Sequence, residues 1–263
     1  MNLGIKDKTA IISASSKGLG KSCAEQLAAE GCNLTIFSRN QSNIKRAAKE
    51  IEQKYKVNVL PLKADASKLN DVKYVVESTI RKFGTVHILI NNAGGPPFGY
   101  FEDFSTKNWQ NALELNLLSV VNLTREVLPF MKKQKWGRII NITSIAVKQP
   151  VDGLILSNTA RTGVIGLAKT LSNEYASYNI LINNVCPGRI MTDRIKELAE
   201  KRSKQAKKSI KAVIKEMESD IPLARIGKPE ELSSMVAFLA SEKASYITGN
   251  TIQIDGGLNK GLF

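Results

Sequence analysis

The sequence predicts an α/β fold, a doubly wound and mostly seven-stranded parallel sheet with helices on both faces. Three observations carry that expectation. Seven short apolar segments alternate with longer amphipathic ones along 263 residues. Short apolar strands separated by helices form βαβ units, whose parallel sheet is buried on both faces. The first apolar segment also runs through a small glycine-bearing turn straight into a helix, the corner on which such sheets begin.

Taken in order, the first strand is Thr9–Ser13, followed by the turn Ala14-Ser-Ser-Lys-Gly-Leu-Gly20. Leu19, Cys23, Ala24 and Leu27 then fall at helical spacing within Gly18–Glu30. A buried strand that turns tightly into a helix gathers free backbone N–H groups and the positive end of the helix dipole at one spot. Gly18 and Gly20 let a ligand come close, and Lys17 adds a full positive charge, so the turn reads as a phosphate cradle. The three-glycine pattern G-x-G-x-x-G fails, because Cys23 occupies its third position. No Gly-Lys-Ser/Thr ends the turn, which excludes a Walker loop. Taken alone, the glycines also fit an ordinary strand–helix corner.

The second strand, Asn33–Phe37, precedes a helix at Asn43–Lys54, and the third, Asn58–Leu62, precedes one at Asp71–Phe83. His87–Ile90 leads to the long helix Thr106–Lys133, and Arg138–Ile142 to Asn158–Tyr178. Leu181–Val185 and Thr251–Ile254 complete the strands, with a helix at Pro229–Ala240 between them. With right-handed crossovers, ligands sit beyond the carboxyl ends of such strands. The informative residues lie there. After the second strand stands Ser38-Arg39-Asn40, where an NAD site places a carboxylate for the adenosine ribose. An arginine fork there suits a 2′-phosphate, and Lys17 approaches the same phosphate, so NADP(H) is expected and NAD(H) is the lesser fit. The alternative is a solvated surface arginine. Asp65-Ala66 after the third strand faces the adenine, and Asn91-Asn92-Ala93-Gly94 follows the fourth.

Composition narrows the classes. No break, linker or repeat divides the chain, so residues 1–263 are expected to form a single domain. Lys and Arg number 38 against 24 Asp and Glu, a net charge of +14. Without an arginine-rich tract or basic–aromatic interleaving, that charge does not read as a nucleic-acid surface. Lysine, asparagine and isoleucine are abundant throughout, which explains it more simply. No apolar run approaches the roughly 20 residues that cross a membrane, and Met1–Lys8 enters the first strand directly without room for a signal peptide. Cys23, Cys32 and Cys186 lack metal-ligand spacing, and His87 is the one histidine. Reduced thiols in a cytoplasmic protein without a metal are therefore expected.

At this point the chain resembles the short-chain dehydrogenase/reductase family, over nearly its whole length. The first turn matches the family's Thr-Gly-x-x-x-Gly-x-Gly as Ser13-Ala14-Ser15-Ser16-Lys17-Gly18-Leu19-Gly20. Asn91-Asn92-Ala93-Gly94, Asn116, Ser144 after Gly137–Thr143, Pro187-Gly188-Arg189-Ile190-Met191-Thr192 and Ile254-Asp-Gly-Gly257 continue the match. The resemblance is to 3-oxoacyl-acyl-carrier-protein reductases in particular. It implies a Rossmann-type domain and a cofactor site built from Ser13, Ser15, Ser16, Lys17, Gly18, Leu19, Gly20, Ser38, Arg39, Asp65, Ala66, Asn92, Ala93, Gly94, Arg161, Pro187, Gly188, Ile190 and Thr192.

Two departures stand out. Ala14 replaces a family glycine. In the helix where the family carries Tyr-x-x-x-Lys, anchoring on Val164–Lys169 puts Ser157 and Arg161 at those positions. By resemblance the catalytic set is then Asn116, Ser144, Ser157 and Arg161. The family's tyrosine donates a proton to the carbonyl oxygen, and its lysine binds nicotinamide ribose and lowers the phenol's pKa. Serine is far less acidic, and an arginine keeps its proton near neutrality. Candidate replacements are Tyr100, Lys148, Arg189, Ser144 or water. His87, Tyr175, Tyr178 and Cys186 read as packing residues.

A substrate lid is expected at about 189–225. Ile195, Leu198, Ala199, Ala206, Ile210, Val213, Ile214 and Met217 give it an apolar stripe, while Lys196, Lys201, Arg202, Lys204, Lys207, Lys208, Lys211 and Lys215 charge its other faces. That charge is either a solvated face or an attraction for an anionic thioester on acyl-carrier protein or coenzyme A. The expected activity is hydride transfer between NADPH and a small-molecule carbonyl or alcohol. The alternative is a catalytically impaired dinucleotide-binding sensor or subunit partner. The resemblance and the two long helices imply a homotetramer or homodimer.

Overall fold

A computed structural model describes residues 2–262, apart from the side chains of Lys201 and Gln205. The place of Lys201 on the lid's charged face therefore lies outside the described residues. Seven parallel strands form one sheet in the order β3-β2-β1-β4-β5-β6-β7. They are β1 (Thr9–Ile12), β2 (Asn33–Ser38), β3 (Val59–Lys63), β4 (Ile88–Asn91), β5 (Gly137–Ile142), β6 (Ile180–Pro187) and β7 (Thr251–Ile254). β1, β4 and β5 are buried at every position. That explains their unbroken apolar character, since helices cover both sides. Pro61 lies in β3, an edge strand that tolerates the missing donor.

The helices are α1 (Gly18–Ala29), α2 (Gln41–Tyr55), α3 (Leu69–Phe83), α4 (Thr106–Leu113), α5 (Ser119–Gln134), α6 (Ile155–Tyr175), α7 (Asp193–Ala206), α8 (Ile210–Ser219) and α9 (Pro229–Leu239). Leu27, Ile44 and Val236 pack one face of the sheet from α1, α2 and α9. Val75, Val127 and Ala168 pack the other from α3, α5 and α6. α7 and α8 close on a small core of their own, Ala199, Val213, Met217, Ile221 and Ile226.

The structure moves several expected boundaries. The long helix expected at Thr106–Lys133 is interrupted by a π-helical turn at Glu114–Leu118. The helix expected at Asn158–Tyr178 begins at Ile155 and gives way to a 3₁₀ turn at Ala176–Tyr178. β6 reaches Pro187, two residues beyond the expected end, because Pro187 still pairs with Ile254.

The connectivity places the site. The chain starts in the middle of the sheet, winds outward to β3, then crosses back to β4 on the other side of β1. The loops after β1 and β4 therefore part at the carboxyl edge and leave a crevice, the switch point at which such sheets take ligands. Among the described residues no helix is long and apolar enough to cross a membrane.

Candidate active site

The turn after β1 is locked to the loop after β4. The Ser13 hydroxyl donates to the carbonyl of Asn92 (2.6 Å) and accepts from the Asn92 N–H (2.8 Å). Asn92 Nδ2 donates back to the carbonyls of Ser13 (3.3 Å) and Ala14 (3.2 Å). Ala14 takes φ +48°, the left-handed region that a glycine would enter without strain. Gly20 is needed for close approach: a Cβ there would lie 2.5 Å from the Ala14 carbonyl oxygen and 2.6 Å from Asn92 Nδ2.

α1 starts without a side-chain cap and without an acid in its first turn. Its leading N–H groups and dipole therefore face the crevice uncompensated, as an anion site requires. Ser16, Lys17, Gly18, Lys21, Arg46, Ala47, Glu50 and Asp193 line a cleft of about 510 Å³ beside this turn. Lys17 Nζ reaches Asp193 Oδ2 at 3.3 Å, both groups being well exposed. Arg39 is exposed at the end of β2 and forms no ion pair among the described residues. Leu19 turns inward against the core.

Ser15 departs from its expected role. Its side chain is wholly buried, and its hydroxyl donates to the Ile12 carbonyl (2.8 Å) while accepting from the Phe37 N–H (3.1 Å). It braces β1 against β2 instead of lining the cleft. The Ser38 hydroxyl donates to the nearby Asn40 carbonyl (3.3 Å). The Asp65 carboxylate accepts from Ser67 in its own turn (2.8 Å), leaving Ala66 half-buried beside it.

At the far end, Asn116 rises from the π turn and donates through Nδ2 to the Gly94 carbonyl (2.9 Å). Ser157 and Arg161 stand one turn apart on α6 and so share a face. The Arg161 guanidinium donates to the carbonyls of Ile142 (3.1 Å), Ala93 (3.1 Å) and Gly94 (3.3 Å). Burial, with a smaller contribution from the charge of Arg194, pulls its pKa down to about 10. Ser157 is buried, and its hydroxyl makes no hydrogen bond among the described residues. Ser144 is half-buried and accepts from the Ala146 N–H (3.1 Å).

Behind Arg161 lies an enclosed space of about 10 Å³, bounded by Asn91, Asn116 and Asn141. That is room for about one water. Asn91 Oδ1 and Asn116 Oδ1 are buried without partners, and such orphan acceptors are what an internal water satisfies.

The segment after β6 runs back to the turn after β1. Gly188 packs so closely on Asp255 that a Cβ would lie 2.7 Å from the Asp255 Cβ. Beyond Pro187, buried Ile190 pairs with Gly227, and Thr192 rests against Gly18 before α7 begins. This loop spans the phosphate turn.

The remaining candidates divide. Arg189 donates to the Met217 carbonyl and pairs with Asp220 (2.7 Å), so its fork is held by α8. The Tyr100 hydroxyl donates to Asp152 Oδ2 (3.0 Å), a bond that raises its pKa and turns it toward the loop before α6. His87 accepts the Thr9 N–H (3.0 Å) and packs edge-on to Trp136, the expected packing role. Cys186 is buried against Thr143, and desolvation raises its pKa. Tyr175 and Tyr178 pack together at the end of α6.

Two residues escaped the sequence reading. Arg46 lines the Lys17 cleft, and Arg194 reaches over Gly95 to the Pro96 carbonyl (3.1 Å). Arg46 sits three residues beyond Asn43, on a helix whose apolar side alone marks it in the sequence. Arg194 was hidden in a run of lid charges. Among the described residues no cluster of His, Cys, Asp and Glu could hold a metal.

The family model described as Enoyl-(Acyl carrier protein) reductase matches residues 13–259. The 3-oxoacyl-[acyl-carrier-protein] reductase FabG of Staphylococcus epidermidis is 34% identical over 253 residues, covering 96% of this chain and 99% of that protein. FabG of Aquifex aeolicus is 34% identical over 258 residues, 98% of this chain and all of that one. The structure of L-sorbose reductase from Gluconobacter frateurii, complexed with NADPH and L-sorbose, superposes with a TM-score of 0.96 at 32% identity over the full length of both chains. YwfH, an NADPH dependent reductase involved in bacilysin biosynthesis, superposes at 0.93 with 31% identity, over 98% of this chain and 100% of that one. Matched by these relatives over almost its whole length, this chain belongs to the short-chain dehydrogenase/reductase family.

Proposed function

We propose that the chain is an NADP(H)-dependent oxidoreductase whose nicotinamide end works with Ser157 and Arg161 where relatives carry tyrosine and lysine. When bound, NADP(H) supplies or accepts the hydride exchanged with a small carbonyl or alcohol. The residues present fit that cofactor. α1 offers an uncapped N-terminus, Gly20 leaves no side chain in the cradle, and Lys17, Arg39 and Arg46 bring positive charge to the adenosine side. None of these positions carries the carboxylate that an NAD site places after β2.

Each side chain has a task in this reading. Lys17, Arg39 and Arg46 hold the 2′-phosphate. Asn92 and Ser13 fix the phosphate turn against the loop after β4. Arg161 clamps residues 93 and 94 from below and presents charge to the nicotinamide ribose. Asn116 holds the same loop from the other side. Ser144 and Ser157 flank the substrate oxygen, and Ser157 orients it without acting as an acid, because an alkyl hydroxyl does not release a proton near neutrality. The proton then arrives through water. Residues 189–225 form the lid, with their own small core, over a single cofactor-binding domain. A 3-oxoacyl thioester on a carrier protein or coenzyme A remains a fitting substrate by kinship with FabG, as does assembly into a homodimer or homotetramer.

The observation that carries this reading is the buried Arg161 fork, bonded to two carbonyls of the loop after β4 at the crevice on the sheet's carboxyl edge. Titration by nicotinamide fluorescence tests its cofactor half. NADPH should bind at least tenfold tighter than NADH, and Arg39→Asp should reverse the order. Equal affinities in the unmodified protein would overturn the reading.

A further inference from the structure

The nicotinamide end of the crevice gathers positive charge with which no carboxylate pairs among the described residues. Arg161 and Arg194 grip the same short loop from opposite sides: Arg161 donates to the carbonyls of Ala93 and Gly94, Arg194 to that of Pro96. Gly95 makes this possible, since a Cβ there would sit 2.7 Å from Arg194 Nη2 and 2.8 Å from its Cζ. The Arg194 fork therefore lies flat on bare backbone at the entrance to the crevice. Neither arginine forms an ion pair among the described residues, and the half-buried Lys148, just beyond Ser144, forms none either.

Four acids of the surrounding segments already have partners of their own. Asp193, next to Arg194, turns to Lys17 (3.3 Å). Asp152 accepts from Tyr100 (3.0 Å), and Asp220 pairs with Arg189 (2.7 Å). Asp255 accepts the N–H groups of Gly257 (2.9 Å) and Asn259 (2.8 Å). Two guanidiniums held near one another, one of them buried, are unfavourable unless something negative completes them. Burial and the charge of Arg194 both lower the pKa of Arg161.

We infer that the substrate brings the missing charge: an anionic group, carboxylate or phosphate ester, a few bonds from the carbon that exchanges hydride, received by Arg194 together with Arg161. This rests on the oxidoreductase reading and narrows its substrate class. Arg194 is the part that selects, because among the described residues its fork has one carbonyl, that of Pro96, as partner. Charge-assisted bonds from a planar fork suit either anion.

The test compares matched compounds with NADPH as reductant. 2-Oxobutanoate and 4-oxopentanoate are set against their methyl esters, and dihydroxyacetone phosphate against dihydroxyacetone; the acid and phosphate arms separate the two anion chemistries. In at least one pair the anion should exceed its neutral partner at least thirtyfold in kcat/KM, mostly through KM. Arg194→Gln should erase at least tenfold of that advantage while NADPH affinity stays within twofold. Equal kcat/KM within every pair would overturn the inference and assign the charges to the developing alkoxide instead. A large loss of NADPH affinity in Arg194→Gln would also overturn it, assigning the fork to the cofactor's phosphates.

If no compound turns over although NADPH binds, calorimetric titration of benzoate and of inorganic phosphate into the NADP⁺-saturated protein decides. Binding of either that Arg194→Gln weakens tenfold supports the inference, and no binding of either refutes it. Failure to bind NADPH at all would instead sink the oxidoreductase reading.

Discussion

Among the described residues two arginines are buried, Arg138 in β5 and Arg161 on α6, toward opposite edges of the sheet, and the protein treats them differently. Arg138 opens β5 at the amino edge and is completely enclosed. Its guanidinium lies over the Trp136 ring (4.3 Å to the centroid), donates to the carbonyls of Gly137 (2.9 Å) and Asn179 (3.0 Å), and faces Glu242 at 3.7 Å. Glu242 in turn accepts from the Trp136 indole (2.7 Å). Arg161, at the carboxyl edge, has carbonyls but no carboxylate, and its charged neighbour is another arginine. Where the charge is structural, the fold supplies an aromatic face and an acid. At the carboxyl edge, where we propose that the ligand enters, the charge is left open, as functional sites tend to leave it.

That contrast can be broken by the same substitution at both ends. Arg161→Met should cost turnover about 10²–10³-fold, the size of effect seen when a preorganised charge is removed from an active site. Its folding stability should hold or rise, because an uncompensated buried charge is replaced by an apolar chain of similar length. Arg138→Ala should do the reverse, costing about 2–5 kcal/mol of stability through the cavity left beneath Trp136, with turnover per folded molecule unchanged. Arg138→Met separates volume from charge. Nε and Nη2 of Arg138 have no hydrogen-bond partner, so the methionine should recover most of the loss. Chemical denaturation and steady-state assays on the three variants check all of this together.

A smaller effect sharpens the comparison through pH. His87 belongs to the amino-edge cluster, accepting the Thr9 N–H (3.0 Å) beside Trp136. Burial, aided by the charge of Lys8, lowers its pKa to about 4, against an ordinary value of 6.5. Between those values the unfolded chain binds a proton that the folded protein refuses, so stability falls as pH drops from about 6.5 to about 4. His87→Gln should flatten that slope in urea midpoints taken at several pH values. An unchanged slope would place the acid sensitivity elsewhere.

The sequence made the frame legible because the frame is periodic. Buried parallel strands read as short apolar runs, and their order follows from right-handed crossovers. The π turn at Glu114–Leu118 left no trace, since Glu-Leu-Asn-Leu-Leu keeps helical spacing while its hydrogen bonding changes. In the site, Lys17, Gly20, Asn116 and Arg161 could be placed because each follows a strand or sits in a recognisable run. Ser15 could not: a serine in a glycine turn looks like a phosphate donor, and only the neighbouring β2 shows that its hydroxyl is already spent. Arg189 and Arg194 differ by partners far along the chain, Asp220 for one and Pro96 for the other, and spacing holds no record of such contacts.

We propose that Ser157 and Arg161 occupy the places of an acid and its activator without acting as such a pair. The most direct measurement is steady-state reduction of a neutral 3-oxoacyl thioester by NADPH, in the unmodified protein, Ser157→Tyr, Arg161→Lys and the double variant. A phenol needs an adjacent ammonium to lower its pKa, so the two changes should act together. The account predicts slow turnover in the unmodified protein, small gains from either single change, and at least a tenfold gain in the double variant. Rapid turnover by the unmodified protein that survives both Ser157→Ala and Arg161→Ala would contradict it, and would place the proton donor elsewhere in the crevice.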